Sequence, residues 1–356
     1  KQARTVRAGE MGSQSYFLAE AGVEDVAYRF KTGREVSEAE TITLSGATAV
    51  TSVVANGSER EISAQGNADG HMRNIFVKLS LGEGVDFNYG IEAGNGGFFI
   101  ENNAVVIGNV FSNGKVEGQN SNLIKGAVIS AGPAGEVEGI HATSSVYARE
   151  IENSFIEGDA YYTLIDGGTT VLGTKHPGSP TIATTSMPIS EETIDEWEVD
   201  AAAGGVISSP CPYIMSGTAT IGPVKINCDV EISGSADVTL AGTVWVRGNV
   251  VIKNNAVVRV ASALSGKSVA VIANNPASQL SASTVKIDNN AAFIGAGAGS
   301  YVLVVSRNRS ASVGGGVRAI EIGNQADAGS VLLYSSAGEI LLQNNASLRE
   351  VTAYRI

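Results

Sequence analysis

Residues that do chemistry are scarce in this sequence. Its 356 residues include two cysteines and three histidines. A small fold held together by many disulfides is therefore excluded. His71, His141 and His176 lie far apart and near no cysteine, so no zinc-type ligand grouping is expected. Neither a Gly-x-Ser-x-Gly elbow nor a Gly-x-x-x-x-Gly-Lys-Ser/Thr loop occurs. Only 17% of residues are charged, and Asp and Glu (36) outnumber Lys and Arg (24) for a net charge of −12. With no basic cluster, nucleic acid is not an expected partner. No apolar run reaches the ~18 residues of a membrane span. The polar opening KQARTVRAGE is no signal peptide.

Glycine (43 residues) and hydrophobic residues (43%) are plentiful. The stretch Val224–Val260 shows how they are used. Its apolar residues come in pairs two apart: Val224/Ile226, Val230/Ile232, Val238/Leu240, Val244/Val246, Val250/Ile252 and Val258/Val260. Each pair marks a short strand with one buried face. The strands follow every six to eight residues, too closely for hairpins with long arms. A chain that turns so often while burying the same face coils into a β-solenoid, with three corners to a rung.

Asn-Asn-Ala recurs at 102, 254, 289 and 344, with Asn274-Asn275 as a near match. With Asn308 and Asn324 the later series has a mean step of about 18, the length of a three-sided rung. Asparagine suits such corners because it tolerates the left-handed backbone region and its amide can bond to a stacked neighbour. Asn102, Asn254, Asn274, Asn289 and Asn344 are thus expected as a corner ladder. The glycine–aspartate nonapeptide of calcium-binding β-rolls is missing, and neither metal nor cofactor is expected. Cys211 and Cys228 stand 17 residues apart, about one rung, and stacked rungs bring such residues to disulfide distance.

The fold class expected is mainly β: an N-terminal helix and small antiparallel sheet over 1–94, then a three-sided β-solenoid, right-handed by the crossover preference. The solenoid begins over 95–170, is interrupted by a loop and helix over 171–206, and continues over 207–356. In the first helix, Tyr16, Ala19, Val23, Val26 and Phe30 form an apolar stripe at helical spacing. Strands over 41–44, 49–54, 60–64, 74–79 and 85–89 follow, with Ser45-Gly46, Asn56-Gly57 and Asp69-Gly70 among the turns. In the insertion, Ser190 is an N-cap, Ile189 can staple to Ile194, and Ile194, Trp197 and Ala201 share a face. The last segment, to Ile356, still reads as strand, so its open edge needs a cover: continuing chain, another molecule or a folded-back segment.

The run Ser15–Phe30, SYFLAEAGVEDVAYRF, resembles the end of the N-terminal helix of bacterial type IV pilin-like proteins, minor pilins in particular. The likeness covers about twenty residues, and the apolar membrane segment and processing site that precede this run in the family are not in the sequence. It implies a bacterial cell-surface or extracellular location and a helix that packs on other pilin-like subunits through Tyr16, Phe17, Ala19, Val23, Val26 and Phe30. It implies a membrane link only through the missing segment. A structural or adhesive role without enzymatic chemistry is expected, with self-association or surface glycans as partners. Two alternatives are a self-assembling solenoid filament and a carbohydrate-active β-helix. The latter would draw on Asp229, Glu231, Arg247 and Arg259, with Trp245, Tyr213, Tyr301 and Tyr334 as a sparse aromatic supply.

Overall fold

The computed structural model describes residues 2–31, 39–56, 59–80, 90–323, 327–343 and 347–356. The strand read over 85–89 and the turn residue Gly57 lie outside them. The chain divides into two compact units, Lys1–Val85 and Asp86–Ile356.

In the first unit, helix α1 (Gln2–Lys31) packs on a four-stranded antiparallel sheet. The strands are β1 (Ala39–Leu44), β2 (Ala47–Asn56), β3 (Glu59–Ala68) and β4 (His71–Ser80), paired in chain order. Leu44 pairs with Ala47 and Ala68 with His71, leaving Ser45-Gly46 and Asp69-Gly70 as two-residue loops. Both loops hold φ positive throughout, at 51° and 82°, and 50° and 81°. That conformation matches the twist of paired strands, and short polar residues with glycine reach it at least cost.

The buried stripe of α1 includes Ser15, Leu18, Ala19, Gly22 and Val26: Ala19 and Val26 face inward as expected, while Ser15 and Gly22 take the places expected for Tyr16 and Val23. Tyr16 is 46% exposed and Val23 half-buried. Small residues win because the helix lies almost on the sheet. A Cβ on Gly66 would stand 1.8 Å from the Ser15 carbonyl oxygen, and one on Gly22 would stand 2.9 Å from Thr51. A tyrosine cannot enter that gap.

The second unit is a stack of parallel three-sided rungs. All twelve residues of the paired pattern in Val224–Val260 are buried, facing inward, and residues between them face out. Burying each such Val or Ile stabilises the stack by roughly 1.5–3 kcal/mol before entropy is counted.

Rung length ranges widely around the mean of about 18 expected. Val128 stacks on Val146, a rung of 18, but Val146 stacks on Ala160, a rung of 14. Val230 stacks on Val250, a rung of 20, while Val250 stacks on Val285 and Val285 on Ile320, two rungs of 35. The long rungs carry extra loops between Val257–Val260 and Val269–Ala273, and between Val269–Ala273 and Val285–Ile287. Their successors are placed alike. The steps of 20 and 15 from Asn254 to Asn289 are therefore two corners of one rung.

The order of the rungs departs from the order of the sequence. Strand β5 (Ile91–Ile100) pairs on one edge with Val110–Ser112 and Val116–Gly118. Its other edge takes the last strand, Ser347–Arg355, with Val351 opposite Ile91 and Ala353 opposite Ala93. The chain thus enters the stack in the middle, winds out to residue 177, returns along the flank, and winds inward from Val206 to meet its own first rung. The edge of the final strand, expected to need a cover, is covered by this folded-back segment. Ile356 packs against the apolar cores of both halves.

Candidate functional site

The flank over which the chain returns is built from one outward-facing column. Register places Lys225, Trp245, Ile272, Val305, Tyr334, Thr352, Glu92, Phe111, Ile129, Tyr147, Tyr161 and His176 one above another. The return segment carries helix α2 (Glu191–Ala203), which starts on Ser190, whose Oγ accepts from Thr193 N–H at 3.1 Å. Ile189, Ile194 and Ala201 are buried, as is Glu198, while Trp197 is only half-buried. Below them Ile272, Val305 and Tyr334 are wholly buried although they point away from the solenoid core.

Polar contacts fix this segment in place. Arg307 pairs with Asp195, with Glu191 at 2.7 Å and with Glu198 at 3.4 Å. Asn274 Nδ2 donates to Glu198 at 2.7 Å, and its carbonyl accepts from the Trp245 indole N–H at 3.1 Å. Asn274 therefore anchors the helix and takes no part in a corner ladder. Burial raises the Glu198 carboxyl above the ordinary glutamate range, against the opposing pull of Asn274 and Arg307. Burial also raises the Tyr334 phenol, whose O–H donates to the Ile189 carbonyl at 2.6 Å. Nearer the middle of the stack, Thr185 and Asn113 bond each other at 2.7 and 3.0 Å. Glu92 is 7% exposed there, and its Oε2 has no hydrogen-bond partner. Burial pushes its carboxyl up.

The corner ladder is present over one long rung. Asn254, Asn255, Asn289 and Asn290 have φ of 60°, 60°, 50° and 60°. Asn289 Nδ2 donates to Asn254 Oδ1 at 3.2 Å, and Asn290 Nδ2 to Asn255 Oδ1 at 3.1 Å. Asn102 is exposed at a separate corner, where Asn103 takes the positive φ. Asn344 lies outside the described residues. Cys211 and Cys228 form a disulfide with Cα atoms 5.8 Å apart, tying the outermost rung to the next one.

On α1, Ala19 and Val26 face the sheet, whereas Tyr16, Phe17 and Tyr28 are exposed at 46, 65 and 53%. The Phe30 side chain lies outside the described residues. Three positions not singled out from sequence matter here: Ser15, Gly22 and Gly66. Ser15 Oγ lies 2.7 Å from the Met11 carbonyl and 2.5 Å from the His71 carbonyl, so it ties helix to sheet. Small residues every three to four positions were the available signal.

The residues considered for sugar chemistry do not converge. Asp229 accepts from the Asn249 amide at 2.7 Å at a corner. Glu231 pairs with Lys253 at 3.2 Å, and Arg259 forms a two-pronged pair with Asp237 at 2.6 and 2.7 Å. Arg247 is exposed. Carboxylates do gather elsewhere. Glu136, Glu138 and Glu152 bring oxygens within 4.8 Å of one another, and Lys115 reaches Glu138 and, at 2.9 Å, Glu136. Partial burial and then repulsion from Glu150, Glu136 and Glu138 raise the Glu152 carboxyl. Tyr147, Tyr161 and His176 stack with ring centres 4.4 and 4.3 Å apart. Their faces are spent on each other. Neither feature resembles a catalytic pair.

No protein-family model and no curated protein matches the chain. Among solved structures, the competence-associated pilin ComZ from Thermus thermophilus is similar at 12% identity, over 97% of this chain and 92% of that one, with a TM-score of 0.19. A likeness of that size does not establish a shared fold. Among the described residues, no helix is long and apolar enough to cross a membrane.

Proposed function

We propose that the protein is a non-enzymatic, surface-exposed structural or adhesive protein of the pilin-like kind, in which a helix-on-sheet module carries a β-solenoid. The observation that carries this reading is the two-faced character of α1. One face is used up on the sheet, while Tyr16, Phe17 and Tyr28 stay exposed on a helix whose sequence resembles the pilin helix end. Exposed aromatics on a helix are suited to packing against other helices. The engagement of Asp229, Glu231 and Arg259 in separate pairs favours a structural role over sugar chemistry.

The test is to express the gene with its native upstream sequence in its own host and shear the cells. The protein is expected in the sheared surface fraction, and Phe17→Asp should deplete it there while the folded protein persists in extracts. Recovery of the unprocessed protein only from the cytoplasm would overturn the reading.

A further inference from the structure

The two ends of the stack differ in a way that points to a partner. One end is the rung of Val206–Ile207, Tyr213–Met215 and Thr218–Ile221. Residues 201–224 contain no Asp, Glu, Lys, Arg or His, in a chain of net charge −12. Edge strands are normally protected by charge. Here prolines 210, 212 and 223 sit outside the three strands.

The open edge can be read from the bonds on the other side. Lys225 and Asn227 donate to the Gly205 and Ile207 carbonyls, so Val206 presents its amide and carbonyl outward. By the same alternation Ile214, Thr218 and Thr220 do so too, since Ser233, Asp237 and Ala241 donate to Met215, Gly217 and Ile221. Val206 and Ile214 are also 56% exposed. A rung with no charge, unobstructed amides and exposed apolar side chains is a template for another rung.

The molecule already contains such a junction. Ser347–Arg355 and β5 meet edge to edge without being neighbours in sequence, and Val351 N–H donates to the Gly90 carbonyl at 3.1 Å. The opposite end of the stack is a poor mate for the open rung. Its sides step by 15 and 14 residues, from Ala160 to Lys175 and from Ile151 to Ile165, against 19 from Thr218 to Asp237. It also carries Asp166, Lys175 and His176. A second copy of the same end fits in size by identity, and residues 201–224 bring no like charges to the contact. A two-fold axis across the stack reverses the direction of winding, so the facing strands pair antiparallel.

We infer that two copies of this chain associate end to end through the 206–221 rung, giving a closed two-fold dimer. It would form in purified protein without any pilus component.

The test uses the full chain in sedimentation velocity across a concentration series, with amide hydrogen exchange on the same samples. Expected are a monomer–dimer equilibrium and exchange in 206–221 that slows at least tenfold at high concentration. Ile214→Lys with Thr218→Lys should give monomer, and Leu172→Lys at the opposite end should leave the dimer intact. The inference is overturned by a wild-type monomer at every concentration or by open-ended polymers. A dimer whose 206–221 exchange is independent of concentration overturns it too, and this readout holds even if the double variant misfolds.

Discussion

The two halves of the solenoid solve one packing problem at different scales. Between Val224 and Val260 each side of a rung buries two apolar residues, as in Val244/Val246 or Val250/Ile252. Between Val137 and Val171 several sides bury one, namely Val137, Ile151 or Ile156, and the strands shrink to two or three residues. A short side leaves room for one inward side chain, so the tight half holds less apolar surface per rung and more of its order rests on corner bonds. Asn122 illustrates this, bonding the Gly139 carbonyl and the His141 amide across rungs. A solenoid can therefore trade core against corner, and its rungs should differ in stability along one chain.

The largest expected effect comes from removing a core residue in each half. Ile151→Ala and Ile252→Ala should each cost about 2–5 kcal/mol, read from denaturant unfolding. Hydrogen exchange separates the halves. Ile151→Ala should strip protection from about 137–177 first, because no second apolar residue shares its side. Equal and global loss from both variants would erase the contrast.

Next in size is the disulfide. It closes a separation of 17 residues and ties down a rung that has only one neighbour. Its loss in Cys211→Ser/Cys228→Ser should cost about 3 kcal/mol on the chain-entropy view. Exchange should rise in 206–221 and leave 91–177 unchanged.

Glu92 sits where the halves meet, only 7% exposed, with one oxygen unpartnered. Its folded-state carboxyl is raised above the unfolded value, as is that of Glu198. The folded state then holds the proton more tightly, so stability falls as pH rises from about the ordinary glutamate value of 4.5 through the raised value. Glu92→Gln should remove part of that slope and stabilise the protein at pH 7 by roughly 1–2 kcal/mol. Thermal melts from pH 4 to 8 check it, and an unchanged slope would show that Glu92 is solvated in the folded state.

How much of this was legible depends on the range of the signal. The inward pairs of Val224–Val260 were readable because strand alternation is local, and so were Ser190 and the hairpin residues Ser45-Gly46 and Asp69-Gly70. The contact of the last strand with β5 was not, since nothing in a repetitive pattern says which rung edges meet. The insertions of the 35-residue rungs mimic a further rung because their corners carry asparagine as well. Helical spacing of apolar residues places Tyr16 on the inward stripe, whereas the close approach at Gly22 and Gly66 selects small residues. Glu198 reads as a solvated helix residue until Arg307, over a hundred positions away, is placed beside it.

The smallest expected effect bears on what corner asparagines do. Asn289 both holds φ at 50° and donates to Asn254 at 3.2 Å. The two roles separate by substitution. Glycine keeps the backbone free to adopt positive φ and removes only the amide bond, which is exposed and worth roughly 0.5 kcal/mol. Alanine removes the bond and adds the left-handed penalty of about 1–2 kcal/mol. If backbone conformation dominates, Asn289→Gly stays near wild type in chemical denaturation while Asn289→Ala falls clearly below it. Equal losses in both would make the stacked amides the stabilising element. The corners of the long rungs would then be held by side-chain bonds between rungs, as Asn122 holds those of the tight half.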